Sequence, residues 1–427
     1  MTIQELYEIY LRNPSVQTDS RKLKTGDLFF ALSGPNFNGN TFALSALEKG
    51  AAFAIVDEDI QEANNRVIKV DNTLETLQNL AKHHREQFTI PFIAITGSNG
   101  KTTTKELVSA VLSSRYKTYT TLGNLNNHIG IPLTLLQIKR HAEIAVIEMG
   151  ANHQKEIEGY CAYVQPTHGI ITNCGKAHLE GFGGMEGVRK GKGELFDYIR
   201  KNQGSVFIFS DYDYLVEMSN GIDDIITYGS MEADLVGIPF SNNSFLKVKL
   251  IDKDSRVTVK TNLVGDFNLP NVLCAVTVGM YFKVSLKKII NAIEYYVPSN
   301  SRSQMLEKNG NHIIVDAYNA NPSSMKLAIE NLANLEVENK VLFLGSMMEL
   351  GEESEKEHLA IIELIEKYTW KNVIFVGEGF STISQQFQHF DNTDDAAKWA
   401  KEQAFSNDYI LVKGSRSMQM EKVIDNL

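Results

Sequence analysis

The segment Gly97-Ser98-Asn99-Gly100-Lys101-Thr102-Thr103 follows the apolar run at 92–95 and opens a stretch with helical character. A glycine-rich turn from strand to helix aims backbone N–H groups at an anion, and the helix dipole adds to their pull. In that setting a lysine at Lys101 reaches terminal phosphates and the Thr102 hydroxyl coordinates magnesium. Strict P-loop spacing needs glycine five residues before Gly100; Ile95 stands there and the glycine falls at Gly97. A turn that only joined two elements would not require Gly-Lys-Thr-Thr-Thr. Loops of this kind also use a carboxylate at the end of a neighbouring strand for the metal, and Glu148 directly follows the apolar run at 144–147.

The elements that must position these residues have an α/β pattern, short apolar runs alternating with helical stretches. A first segment, residues 1–88, has strand candidates at 28–32, 52–56 and 67–70 and helical stretches at 42–49 and 74–87; Thr89-Ile90-Pro91 is a plausible boundary. A second, 89–298, carries the loop and apolar strands at 92–95, 144–147 and 169–172. It also carries two period-two runs, 245–251 and 256–261, separated by Asp252-Lys253-Asp254, which predict an antiparallel hairpin. A helix is expected from about 270 to 280. A third segment, 299–427, has strand runs at 312–315, 341–344, 373–376 and 409–412, ending at Asp316, Gly345, Gly377 and Lys413. In doubly wound sheets ligands sit beyond the carboxyl ends of parallel strands, so these four ends are candidate contacts.

The 427 residues are 43% apolar and 22% charged, with a formal net charge of −10, an ordinary globular composition that disfavours a general nucleic-acid or membrane-surface binder. Cys161, Cys174 and Cys274 are odd in number and widely spaced, which predicts neither a zinc site nor a disulfide framework. A reducing compartment fits best. No apolar signal core opens the chain and no run approaches a membrane span. A cytoplasmic monomer is expected.

The shifted loop, Thr96 to Thr103, resembles the ATP loop of the Mur ligases and folylpolyglutamate synthetases. Further segments resemble the branch of the Mur ligases that adds D-alanyl-D-alanine. These are Gly123-Asn124-Leu125-Asn126-Asn127-His128-Ile129-Gly130-Ile131-Pro132, Glu148-Met149-Gly150-Ala151-Asn152-His153 and Ala177-His178-Leu179-Glu180-Gly181-Phe182. Asp316-Ala317-Tyr318-Asn319-Ala320-Asn321-Pro322 and Lys413-Gly414-Ser415-Arg416 match the family's C-terminal domain. The resemblance runs through the whole chain in order. It implies three domains: an N-terminal UDP-binding α/β domain, a central P-loop ATPase domain with a parallel sheet plus a small antiparallel sheet, and a C-terminal Rossmann-like domain.

The resemblance also implies roles. UDP-N-acetylmuramoyl-tripeptide and D-alanyl-D-alanine would be joined at the expense of ATP through an acyl phosphate, releasing ADP and phosphate. Gly97 to Thr103 would hold the nucleotide. Thr102, Glu148, His178 and Lys192 would hold Mg2+, two ions in all, with Lys192 as N6-carboxylysine. That lysine is selected because relatives carry the modification four residues before an aromatic, here Phe196; a solvated basic face is the alternative for 188–196, and Lys190 the alternative lysine. Ser20 and Arg21 would contact the UDP end, and Asn124, Asn126 and Asn127 the acceptor. Asn268 and Asn271 fall in the adenine-side motif G-x-H-N-x-x-N, where Phe267 replaces the histidine. Arg302 would reach the phosphates and Asp316 would orient the ribose or that arginine. Asn319, Asn321, Lys413 and Arg416 would lie near the peptide carboxylates. Two readings rival this one. The ligase adding the third peptide residue usually carries D-N-P-R, absent here. A nucleotide-binding regulator would need no His178 and Lys192.

Overall fold

The computed structural model describes residues 1–60, 64–240, 245–251, 256–381 and 386–427. Its strands form three main sheets, in three successive segments of the chain, and a two-stranded ribbon. The first sheet is parallel, in the order Val16–Gln17, Leu28–Phe30, Phe53–Val56, Val67–Lys69. The helix Ile3–Arg12 starts on a capping box between Thr2 and Glu5, and Thr73–Arg85 starts on Asn72, whose side chain accepts from the Glu75 N–H. Such caps satisfy backbone donors that have no partner within the helix.

The central sheet has nine strands, in the order Arg256–Val264, Phe245–Ile251, Leu235–Pro239, Asp224–Gly229, Ser205–Phe209, His168–Ile171, Phe92–Thr96, Ile144–Glu148, Thr118–Thr120. Phe92–Thr96, Ile144–Glu148 and His168–Ile171 are buried at every position, as helices on both faces of a parallel sheet demand. From Phe92–Thr96 the chain first builds the sheet one way, to Thr118–Thr120 and back to Ile144–Glu148. It then crosses to His168–Ile171 and builds the other way. The phosphate loop therefore leaves the sheet where the strand order reverses, the usual ligand crevice of an open α/β sheet. The expected hairpin is present and pairs antiparallel, with alternating burial along Phe245–Ile251. It continues the parallel sheet through Leu235–Pro239, which pairs parallel on one side and antiparallel on the other. Asp252-Lys253-Asp254 lies outside the described residues.

The third sheet runs Gln304–Lys308, Asn311–Asp316, Tyr409–Lys413, Lys340–Gly345, Asn372–Val376, Gln388–Phe390. The four expected strands are parallel neighbours; an antiparallel edge strand and a short parallel one flank them. Helix Pro322–Asn334 begins with proline, whose missing N–H costs nothing there, and with a capping box from Asn321 to Ser324. Arg85 ties the first and central sheets together: its buried guanidinium donates to the carbonyls of Phe88, Val164 and Gln165 and lies 3.7 Å from the centre of the Phe92 ring.

Candidate active site

A cavity of about 640 Å³ lies between the central and third sheets. One wall is the phosphate loop, Ser98 to Lys101 with Thr103; the facing wall carries Arg302, Asp316, Tyr318, Asn319, Asn321 and Lys413.

The loop is held from the neighbouring strand's end. The Ser98 N–H donates to the Asn173 carbonyl (2.9 Å), the Asn99 N–H to Asn173 Oδ1 (3.0 Å), and Thr172 Oγ1 to the Asn99 carbonyl (2.6 Å). These contacts leave no room for a side chain at Gly97: a Cβ there would sit 2.0 Å from Thr172 Oγ1, on a backbone with φ of 142°. Gly100 is left-handed at φ 80°, and its Cβ would meet Asn271 Oδ1 at 2.7 Å. That left-handed turn starts the helix Lys101–Ser113 with its free N–H groups facing the cavity. Lys101 Nζ curls back onto the carbonyls of Gly97 (2.7 Å) and Ser98 (3.1 Å). Burial pushes its amine down to about 8; Glu148 opposes the shift and Arg302 adds to it.

Strand register puts Glu148 opposite Ile95, beside the loop. Its Oε1 accepts from Thr102 Oγ1 (3.1 Å) and Asn126 Nδ2 (2.7 Å). Its Oε2 is buried without a hydrogen-bond partner, with Lys105 Nζ at 4.0 Å. A buried carboxylate oxygen left this way is costly unless a cation meets it. Among the described residues no three His, Cys, Asp or Glu side chains converge as a protein-only metal cage. Magnesium does not need one, since it keeps waters and uses one or two carboxylates with substrate phosphates. Thr102 and Glu148 fit that pattern.

His178 has a left-handed backbone, φ 52°, at the start of the short helix Leu179–Phe182. Its Nδ1 lies 2.6 Å from Glu349 Oε2 of the third region, without hydrogen-bond alignment. Glu349 is also left-handed, at φ 62°. Lys176 adds an ion pair to Glu357 (2.5 Å). Lys192 is buried; its Nζ donates to the Ala151 carbonyl (2.9 Å) and lies 4.8 Å from the Phe182 ring centre. Burial, with repulsion from Lys101 behind it, pushes the amine down to about 7. Lys190, the alternative, is exposed and pairs with Glu186.

Asn268 and Asn271 are linked, Nδ2 of Asn271 to Oδ1 of Asn268 (2.9 Å), and Asn271 Oδ1 accepts from Thr104 Oγ1 (3.0 Å). Asn271 therefore lies inside its helix and braces the phosphate-loop helix. Phe267 lines the cavity beside them. The Arg302 guanidinium stacks 3.7 Å over the Tyr318 ring, with Nε buried and unpartnered. Asp316 takes the Ser303 N–H at Oδ1 (3.2 Å) and Lys413 Nζ at Oδ2 (2.5 Å). Asn321 caps its helix and donates to Asn99 Oδ1 (2.7 Å), 222 residues away. Asn319 Oδ1 accepts from the N–H of Ala320 (2.9 Å) and of Arg416 (3.3 Å).

Some expected residues stand apart from the cavity lining. Ser20 and Arg21 lie on the first region, Arg21 exposed and paired with Asp19. Asn124 is exposed, and Arg416 pairs with Glu421. Asn126 and Asn127 do line the cavity, and Asn127 Oδ1 also accepts from the Gly130 N–H.

The Mur ligase middle-domain pattern matches residues 95–279, the Mur ligase glutamate-ligase-domain pattern 301–416, and the Mur ligase family catalytic-domain pattern 14–85. The chain belongs to the Mur ligase family. This Mur ligase is 33% identical to the UDP-N-acetylmuramoyl-tripeptide–D-alanyl-D-alanine ligase of Bacillus subtilis (strain 168), over 100% of this chain and 97% of that one. Its fold matches a crystal structure of MurF from Acinetobacter baumannii with a TM-score of 0.87 at 31% identity, covering 97% and 93% of the two chains. It also matches the MurF ligase from Thermotoga maritima in complex with ADP, with a TM-score of 0.86 at 26% identity and 97% coverage of each.

Sequence reasoning gave no role in this Mur ligase to Tyr318, Thr172, Asn173, Glu349 or Glu357. For Asn173 a signal existed: it stands just past the carboxyl end of a central strand. For Glu349 and Glu357 none did, because their partners lie on another sheet.

Proposed function

We infer that this Mur ligase uses ATP to join D-alanyl-D-alanine to UDP-N-acetylmuramoyl-tripeptide, giving the UDP-muramoyl-pentapeptide of peptidoglycan synthesis. The observation that carries the reading is the cavity that sets Ser98 to Lys101 against Arg302, Asp316, Asn319 and Lys413. We divide the chain into an acceptor-binding domain at 1–88, an ATP-binding domain at 89–298 and a C-terminal domain at 299–427. Among the described residues no helix is long and apolar enough to cross a membrane. We read the protein as a cytoplasmic monomer whose partners are its two substrates.

The terminal carboxylate of the tripeptide attacks the γ-phosphorus of ATP; the bond to the β-phosphate oxygen breaks and ADP leaves. The dipeptide amine then attacks the acyl carbon, loses a proton, and phosphate departs from the tetrahedral intermediate. Two anions meet in the first step, so fixed positive charge lowers its barrier. Lys101 and Arg302 supply it from opposite walls. Thr102, Glu148, His178 and a carbamylated Lys192 are the residues that would hold Mg2+, which would add positive charge at the phosphates. Lys192 suits carbamylation because a neutral amine is what attacks carbon dioxide, releasing a proton, and burial lowers this amine to about 7, so that a large share of it is neutral near that pH. Asn268 and Asn271 serve the adenine side, Ser20 and Arg21 the uridine side, and Asn124, Asn126 and Asn127 the acceptor. Asn319, Asn321, Lys413 and Arg416 serve the peptide carboxylates.

Phosphate release measured with each substrate withheld in turn tests the reading. Release that requires ATP, UDP-tripeptide and dipeptide together supports it; ATP hydrolysis indifferent to the dipeptide overturns it. Supplying tripeptides with meso-diaminopimelate or lysine at the third position then defines the natural acceptor.

A further inference from the structure

Arg302 sits in a linker that is fastened at both ends, and the upstream fastening is to the phosphate-loop helix. Glu106, five residues after Lys101 and therefore about 7.5 Å along the helix, accepts from Tyr296 Oη at Oε2 (2.5 Å) and from Asn300 Nδ2 at Oε1 (3.0 Å) and Oε2 (3.2 Å). Lys105 Nζ lies 3.7 Å from Oε1. Asn262 fixes the start of the same linker, donating to the carbonyls of Glu294 and Tyr296 (2.9 and 3.0 Å). Downstream, the Ser303 N–H donates to Asp316, and the Ser301 carbonyl accepts from the Tyr318 N–H (3.2 Å). Ser301 and Ser303, which carry the downstream fastening, are both left-handed, at φ 55° and 50°, so the backbone is strained on each side of Arg302. Strain of that kind relaxes unless the surroundings hold it.

We propose that Glu106 is a positioning residue for Arg302: by gripping Tyr296 and Asn300 it holds the strained linker so that the guanidinium faces the phosphate loop. Glu106 itself does not line the cavity. Nucleotide seated on the helix start and the arginine delivered by the linker are thereby referenced to one rigid helix. The proposal rests on the ligase reading above.

A double-mutant cycle tests it, read in steady-state turnover with all three substrates saturating. Glu106→Ala is expected to lower kcat about ten-fold, within the range of coupling between residues that share a network, with little change in the KM of the dipeptide. In an Arg302→Ala background the same substitution should cost less than about two-fold, since no arginine remains to be placed. Glu106→Gln retains an acceptor for Tyr296 and should recover most of the loss. Should Glu106→Ala fold poorly, Tyr296→Phe with Asn300→Ala cuts the same grip from the linker side and should show the same non-additivity. Equal losses in both backgrounds, or an unchanged kcat, overturn the proposal. Absence of dipeptide-dependent turnover in the parent protein would instead overturn the ligase reading, so the two failures are separable.

Discussion

Two lysines of this site are tuned by burial to different ends. Lys101 lines the cavity, with its ammonium donating to the Gly97 and Ser98 carbonyls. Lys101→Ala should cut turnover by roughly 100-fold or more, the cost of one transition-state charge contact. Its melting temperature should stay close to the parent's, and turnover near normal would refute the assignment of the loop. Lys192 is enclosed, and its amine is pushed down to about 7 from an ordinary 10.5. Between those values the unfolded chain holds a proton that the folded protein lacks, so stability rises with pH across that window. Below about pH 7 both states are protonated and the full penalty of a buried ammonium is present. In buffer stripped of carbon dioxide, Lys192→Met should therefore melt higher than the parent near pH 6.5, and the gap should shrink as the pH approaches 10. A gap independent of pH would mean that Lys192 holds the same charge in both states. Mass spectrometry of the native protein, with and without bicarbonate, reads the carbamate directly.

At the scale of elements, the phosphate loop is a joint between one strand end and one helix start, clamped by a third element. Thr172 and Asn173, past the end of His168–Ile171, take up its polar groups, and Asn271 braces the helix through Thr104. Gly97 is where the clamp closes most tightly, and its backbone is one that other residues rarely adopt. Gly97→Ala must push Thr172 aside or shift the loop. ATP affinity, measured by calorimetry, should fall at least ten-fold, and the melting temperature should drop, as expected for strain at a positive-φ site. Unchanged ATP affinity would show that the loop tolerates displacement and that its nucleotide contacts lie elsewhere.

For the whole molecule the decisive feature is that the third sheet faces the second across the cavity. Lys176–Glu357, His178–Glu349 and Asn99–Asn321 all cross that divide. Lys176 and Glu349 are the exposed partners of the first two contacts, while Glu357 is buried and His178 half-buried. In the proposed mechanism activation of the tripeptide needs both walls, because Lys101 and Arg302 line opposite ones. Hydroxylamine supplied with ATP and UDP-tripeptide should trap a hydroxamate without any dipeptide, and Arg302→Ala should depress that trapping along with ligation. Normal trapping with failed ligation would place the arginine after activation rather than at the phosphates.

The sequence by itself determined the α/β class, the phosphate loop, its neighbouring carboxylate and the buried parallel strands, because each is written in local spacing: apolar runs of strand length, a glycine turn from strand to helix, a carboxylate at a strand end. It also carried the family through motifs in a fixed order. Only the tertiary structure decided which of those residues meet. Asn321, expected near a peptide carboxylate, is found bonded to the phosphate loop as well as capping its own helix; Arg416 turns to Glu421, and Arg302 finds its platform in Tyr318. The left-handed backbones of His178 and Glu349 had no signal in residue type. Such pairings depend on how separately folded sheets are set against one another, and local periodicity holds no record of that because the partners lie far apart along the chain.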